Sequence, residues 1–170
     1  MFCRTLKTNW KETKMKKPDY VYVTYIQTTP EKAWQAFTEI DVMRQWWADP
    51  KGGCARVNVS DWQPGSDWKH QRADGSDIVD ILGKVVEFTP PHRMVLTWGR
   101  PSEEHDLAKH SRLTIDIEPY TDVLVRLTIT HDELDESMLK GISGGWPTIL
   151  SNLKTLLETG RPLPSMPAAH

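Results

Sequence analysis

Between Tyr20 and Ile26 every residue is aromatic or β-branched, which marks a first strand. Thr28-Thr29-Pro30-Glu31 follows as a helix start, with Thr29 as N-cap and Pro30 at the first helical position. Trp34 and Phe37 then recur at helical spacing, with Ala33 and Ala36 beside them. A second short helix is expected from Asp41, its cap, to Trp47. It carries Val42, Met43, Trp46 and Trp47 and is ended by Asp49-Pro50-Lys51-Gly52-Gly53.

From residue 55 to 131 the apolar period falls to two, the signature of strands. Ala55–Ser60 alternates, and so does Asp67–Ala73, with Trp68, His70 and Arg72 on one face. Asp74-Gly75 is a hairpin signal. The run Ile78–Phe88 breaks phase around Gly83, which predicts a bulge or sharp bend there. Pro90-Pro91 turns the chain into Arg93–Trp98, where Met94, Leu96 and Trp98 share a face. Ser111–Glu118 places Leu113, Ile115 and Ile117 inward. Val123, Val125, Leu127, Ile129 and His131 share a face of the last strand. Short turns join these segments, so they are expected to form an antiparallel meander with one dry side.

Leu139, Ile142, Trp146, Ile149, Leu150, Leu153, Leu156 and Leu157 form the stripe of an amphipathic closing helix, stopped at Gly160. Gly144-Gly145-Trp146-Pro147 interrupts it. Either the helix begins near Pro147, or a longer one from about Asp135 is kinked there; the stripe favours the second. The expected architecture is therefore α+β: a strand, two short helices, a curved antiparallel meander, and a long C-terminal helix covering its apolar face. A bent sheet around one helix cannot close tightly at both ends, and the open end becomes a pocket.

Composition narrows the functional classes. With 170 residues, 26% charged and a net charge of −2, the chain is expected to be a single domain that binds no nucleic acid. No stretch is apolar enough to span a membrane. Residues 1–17 form a basic leader without the apolar core of a secretory signal, residues 18–160 form the domain, and 161–170 form a Pro-rich tail. Cys3 and Cys54 lack any CxxC spacing and read as reduced thiols in a cytoplasmic protein. Glycine-rich phosphate loops, nucleophile elbows and dinucleotide fingerprints are missing, so no cofactor is implied. His105 and His110, with Glu103, Glu104 and Asp106, match no metal-ligand spacing. Glu103–Lys109 reads as a solvated loop able to gate the cavity.

Eight tryptophans are the compositional oddity. Trp46, Trp68, Trp98 and Trp146 are expected to face inward as aromatic walls for a small apolar or aromatic ligand. Strand and helix phase adds Met94, Leu96, Leu113, Ile115, Val125, Leu127 and Leu150 to the wall. His70, Arg72 and His131 are its candidate polar contacts. His70 and Arg72 either meet a ligand or, if the strand phase is shifted, face water. His131 either anchors a ligand or closes the sheet–helix junction. Three functions follow: a ligand-binding module, a cyclase- or hydrolase-like enzyme using those polar residues, or a partner-binding protein. An exposed strand edge also leaves room for a homodimer.

Six phrases in this order carry a family likeness: Thr28-Thr29-Pro30-Glu31-Lys32-Ala33-Trp34-Gln35-Ala36-Phe37-Thr38, Arg44-Gln45-Trp46-Trp47, Gly83 through Pro91, Leu96-Thr97-Trp98, Leu127 through His131, and Gly145-Trp146-Pro147 through Leu157. The chain resembles the heat-shock-protein-90 ATPase activator-like branch of the START / birch-pollen-allergen (SRPBCC) superfamily over about residues 18–160. The resemblance implies a helix-grip fold with a cavity between sheet and closing helix. It also implies a chaperone-regulating or stress-response partner as one possible role. Eukaryotic activators carry a separate N-terminal chaperone-binding domain, for which seventeen residues are too few.

Overall fold

The computed structural model describes residues 17–49 and 51–164; the rest of the basic leader and the last six residues of the tail lie outside the described residues. The chain forms β1 (Tyr20–Gln27), α1 (Pro30–Thr38), α2 (Ile40–Trp46), β2 (Arg56–Ser60), β3 (Asp67–Arg72), β4 (Val79–Thr89), β5 (Arg93–Trp98), β6 (Ser111–Pro119), β7 (Leu124–Asp132) and α3 (Glu136–Thr159). Two short 3-10 turns, Pro101–Glu103 and Leu107–Lys109, shape the β5–β6 loop. The strands make one seven-stranded antiparallel sheet in the order β1-β7-β6-β5-β4-β3-β2. β2 through β7 are thus the expected meander, and β1 closes it by pairing with β7 from Tyr20↔His131 to Gln27↔Leu124.

The inward phase of β5, β6 and β7 is as the alternation predicts: Met94, Leu96, Leu113, Ile115, Ile117, Val125, Leu127 and Ile129 are buried. Val123 departs from it and is exposed. Tyr120 and Thr121 both donate their N–H to the Leu124 carbonyl, so the turn ends only at Leu124 and Val123 stays outside the strand. α1 starts as expected, with the Thr29 hydroxyl accepting from the Lys32 N–H. α2 does not. Glu39 serves both as C-cap of α1 and as N-cap of α2, which leaves Asp41 inside the first turn, where its charge meets the positive helix end. Trp47 is the C-cap of α2 rather than its last helical residue.

The bend expected near Gly83 is a change of partner along β4. Asp67 to Gln71 of β3 pair with Lys84 to Val79, whereas β5 pairs with Val85 onward, with a register slip between Val85 and Glu87. At the crossing, the Trp68 indole N–H donates to the Thr97 carbonyl at 2.8 Å, passing directly over Gly83. A second slip, between His70 and Gln71, breaks the alternation of β3.

α3 runs as one helix through Pro147, from an Asp135 cap that accepts from the Met138 N–H at 2.7 Å to Gly160 at φ 76°. Asn152 fastens it inward, donating to the Trp46 carbonyl at 2.6 Å and accepting from the Leu163 N–H at 2.7 Å. The free edge of β1 is closed at its C-terminal half by α3, where Glu158 accepts the Gln27 N–H and Lys154 donates to the Tyr25 carbonyl. Among the described residues, no helix is long and apolar enough to cross a membrane.

Candidate functional site

A cavity of about 520 Å³ opens between the sheet and the N-terminal half of α3, within the size range of small-molecule sites. Its α3 wall has a simple origin. Ser137, Gly141 and Gly145 fall at i, i+4 and i+8, one column of the helix, and the missing side chains leave the space. A Cβ at Gly141 or Gly145 would meet nothing within 4 Å. Met138, Ile142, Trp146 and Ile149 flank that column and make the wall apolar.

A closed ring of aromatic contacts joins Trp146 of this wall to the rest of the lining. Trp47 lies 4.5 Å from His70 between ring centroids, His70 lies 6.2 Å from Trp98, Trp98 lies 6.1 Å from Trp146, and Trp146 returns to Trp47 at 5.6 Å. All four line the cavity. A second layer backs them: Trp46 behind Trp47, Trp68 behind Trp98, and His131 beneath Trp98 and Trp146. Such tilted contacts suit the aromatic quadrupole and hold each ring at a fixed angle.

Of the residues singled out from the sequence, His70, Trp98 and Trp146 form this wall. Trp46 is fully buried and donates its indole N–H to the Ala36 carbonyl at 3.0 Å, while its neighbour Trp47 turns to the cavity because its C-cap backbone leaves the helix. Trp68, Met94, Leu96, Leu113, Ile115, Val125, Leu127 and Leu150 are core residues that do not line the cavity. Arg72 does not reach it either. The slip after His70 breaks the shared face, and the Arg72 guanidinium turns to Asp80 at 3.3 Å.

Asp80 answers a local charge problem. Arg56 and Arg72 stand directly opposite on β2 and β3, and Asp80 accepts from both, at 2.6 Å from Arg56 Nε. Burial alone would raise the Asp80 carboxyl, but the two guanidinium hydrogen bonds and charges hold it below its ordinary value. At the other rim Arg100 bridges Glu103 and the Asp135 cap, at 3.0 and 2.7 Å. Hydrogen bonds from Arg100, then from the Met138 N–H, depress Asp135 to about 2.

His70 is 4% exposed, and its Nδ1 meets Asn58 Oδ1 at 2.7 Å across the β2–β3 pair. Asn58 is oriented by its own amide N–H, which donates to the Phe37 carbonyl, so its oxygen faces the imidazole. Desolvation, reinforced by the charge of Arg56, lowers His70 to about 3 and keeps it neutral. His131 is fully buried, lowered by burial to about 4, and accepts the Trp146 indole N–H at Nε2. It closes the sheet–helix junction, the structural one of its two sequence readings. His70, Arg72 and His131 therefore do not converge on one point of the cavity.

The polar β5–β6 loop is built around His110. One ring nitrogen faces the Glu103 carbonyl at 3.0 Å, the other the Thr97 hydroxyl at 3.2 Å. Glu103–Lys109 contributes no residue to the cavity wall. Among the described residues no three His, Cys, Asp or Glu side chains converge as a metal site would need.

Trp47, Arg56, Asp80, Arg100 and the glycine column escaped the sequence reading. The i, i+4 spacing of Gly141 and Gly145 was the one signal available for them. Nothing local separates Trp47 from Trp46, and Asp80 joins Arg56 only through the irregular β3–β4 register.

Comparison with known proteins places this geometry in a family. Solved structures with the same fold include an Hsp90 activator from Plasmodium falciparum, 20% identical with a TM-score of 0.62, covering 81% of this chain and 94% of that one. The Aha1 dimer from Colwellia psychrerythraea is 22% identical with a TM-score of 0.61, covering 82% and 96%. CalU16 from Micromonospora echinospora is 16% identical with a TM-score of 0.60, covering 82% and 76%. No curated protein matches the sequence. The family model described as activator of Hsp90 ATPase homolog 1-like protein matches residues 27–158, most of the described chain, and the chain belongs to that family.

Proposed function

We propose that the protein binds a small apolar or aromatic molecule in the cavity beneath α3. The observation that carries this reading is the closed ring of Trp47, His70, Trp98 and Trp146 lining an accessible space of about 520 Å³. A flat ligand against these rings would lose apolar surface to already rigid side chains, at low entropic cost. In this reading the protein acts as a carrier or sequestering module in the cytoplasm.

The test uses 2-methoxynaphthalene as probe and the indole N–H resonances as readout. Trp47, Trp98 and Trp146 are expected to shift on titration, with Trp34 and Trp62 unmoved. Gly145→Leu places a side chain in open space facing the cavity. It is expected to weaken the probe by about tenfold or more, roughly 1.4 kcal/mol. Unchanged affinity in this variant would move the site elsewhere. Gly141→Ala, measured by urea unfolding, is expected to stabilise the protein by about 0.5–1 kcal/mol, because the added methyl meets nothing and the helix loses a glycine.

The second reading is a chaperone- or self-associating role. Family membership and the solved Aha1 dimer favour it. Val21, Val23 and Tyr25 on the outer face of β1, with Tyr120 packed against Tyr25, supply an exposed apolar surface for it. Stimulation of a purified Hsp90 ATPase would support the chaperone role and no effect at saturating protein would count against it, while a monomer by sedimentation would count against self-association.

A further inference from the structure

One side chain of the cavity wall, although more than nine-tenths buried, keeps an unpaired acceptor. Arg56 and Arg100 both line the cavity and are tied down there, Arg56 Nε by Asp80 and Nη1 by the Cys54 carbonyl, Arg100 by Asp135 and Glu103. His70 differs. Its Nδ1 faces an oxygen that can only accept, so Nδ1 carries the proton and the neutral ring presents a bare lone pair at Nε2. That nitrogen has no hydrogen-bond partner and is not among the fully enclosed unpaired atoms of the described residues, while His70 itself lines the cavity. This acceptor belongs to a side chain more than nine-tenths buried, flanked by Trp47 and Trp98, on the wall of the space a ligand would occupy.

Resting on the binding function proposed above, we infer that the cavity selects flat apolar molecules carrying an O–H or N–H donor, such as phenols or N–H heteroaromatics, through His70 Nε2. The physical reason is asymmetric. A ligand with a donor restores the hydrogen bond that Nε2 would otherwise lose when water leaves. A ligand with an ether or carboxylate at the same place strands the lone pair or opposes it. Sites built around one buried polar group discriminate strongly against analogues that cannot pair with it. Asn58 is the positioning residue, since it sets which ring nitrogen keeps the proton.

The test compares 2-naphthol, 2-methoxynaphthalene and 2-naphthoate on the full chain by calorimetry. 2-Naphthol is expected to bind at least about tenfold tighter than its methyl ether, with the carboxylate weakest. The ¹⁵N resonance of His70 Nε2 is expected to move upfield with 2-naphthol and to stay in place with the ether. Equal affinities for naphthol and ether would overturn donor selection while leaving ligand binding intact. Binding of none of the three would overturn both. In His70→Phe, shown folded by its indole spectrum, the preference is expected to vanish; a preference that survives there would overturn the role of His70. Should that variant not fold, the wild-type Nε2 shift decides: no movement with bound 2-naphthol overturns the assignment.

Discussion

Replacing Gly83 with alanine is expected to remove a large share of the protein's stability. A Cβ at this position would lie 2.7 Å from the Thr97 carbonyl carbon and from the Trp68 indole nitrogen, and closer still to the Thr97 carbonyl oxygen. Backbone cannot retreat as a flexible side chain can, so the crossing between β3, β4 and β5 must open. Opening it breaks the Trp68–Thr97 hydrogen bond and strands a buried indole N–H. The Leu82↔Gly99 bridge beside it would be strained as well. Overpacking and a lost buried hydrogen bond together should cost roughly 3–5 kcal/mol, a large share of a domain's 5–15. Urea unfolding of Gly83→Ala beside Gly141→Ala checks this directly, since the second adds the same methyl where space is open. Equal midpoints would refute the close-packed crossing.

The second large effect is acid lability. His70 and His131 titrate at about 3 and about 4 in the folded protein, against 6.5 in an unfolded chain. Both are therefore neutral in the folded state where the unfolded chain is already protonated. Their contribution to stability is full above pH 6.5 and is lost as pH falls toward 4 and 3. Two extra protons on the unfolded side give a slope of roughly 2.7 kcal/mol per pH unit between about pH 5.5 and 4.5. Native carboxylates with depressed values, Asp80, Glu103, Asp135 and Glu158 among them, add their losses from about pH 5 downward, as the unfolded carboxyls take up protons. Urea midpoints measured from pH 7 to pH 4.5 should fall steeply, and His131→Phe should roughly halve the slope whatever its own stability. A flat profile across that window would show that neither imidazole is held neutral by burial.

The order of elements and most of the core were legible because each rests on local periodicity. Leu113, Ile115 and Ile117 alternate in phase, and the α3 stripe repeats every three or four residues, so burial follows from geometry within one element. Gly83 was legible as a break in phase, although the reason for the glycine, an indole hydrogen bond passing over it, belongs to three strands at once. The cavity itself was expected, but its wall was assigned one layer too deep. Facing inward is a property of a strand. Lining a cavity depends on which inward residues no other side chain covers, and Trp68, Met94 and Leu96 are covered.

Residue by residue, the division is sharp at the polar positions. Alternation in β3 placed Trp68, His70 and Arg72 together, and a single register slip separated the third from the first two. His131 carried the same inward phase as His70, yet Trp146 covers one and the cavity reaches the other. By itself the amino-acid sequence determined the α+β order of elements and the inward faces of β5 to β7, which are written in short-range spacing, while its six phrases carried the family likeness that implies the helix-grip fold. Only the tertiary structure decided that Trp47 rather than Trp46 meets the cavity, that Asp80 bridges the facing arginines, and that His70 reaches the cavity wall with its Nδ1 held by Asn58. Those choices depend on which atoms from distant segments arrive first at the same place, and no local period encodes that.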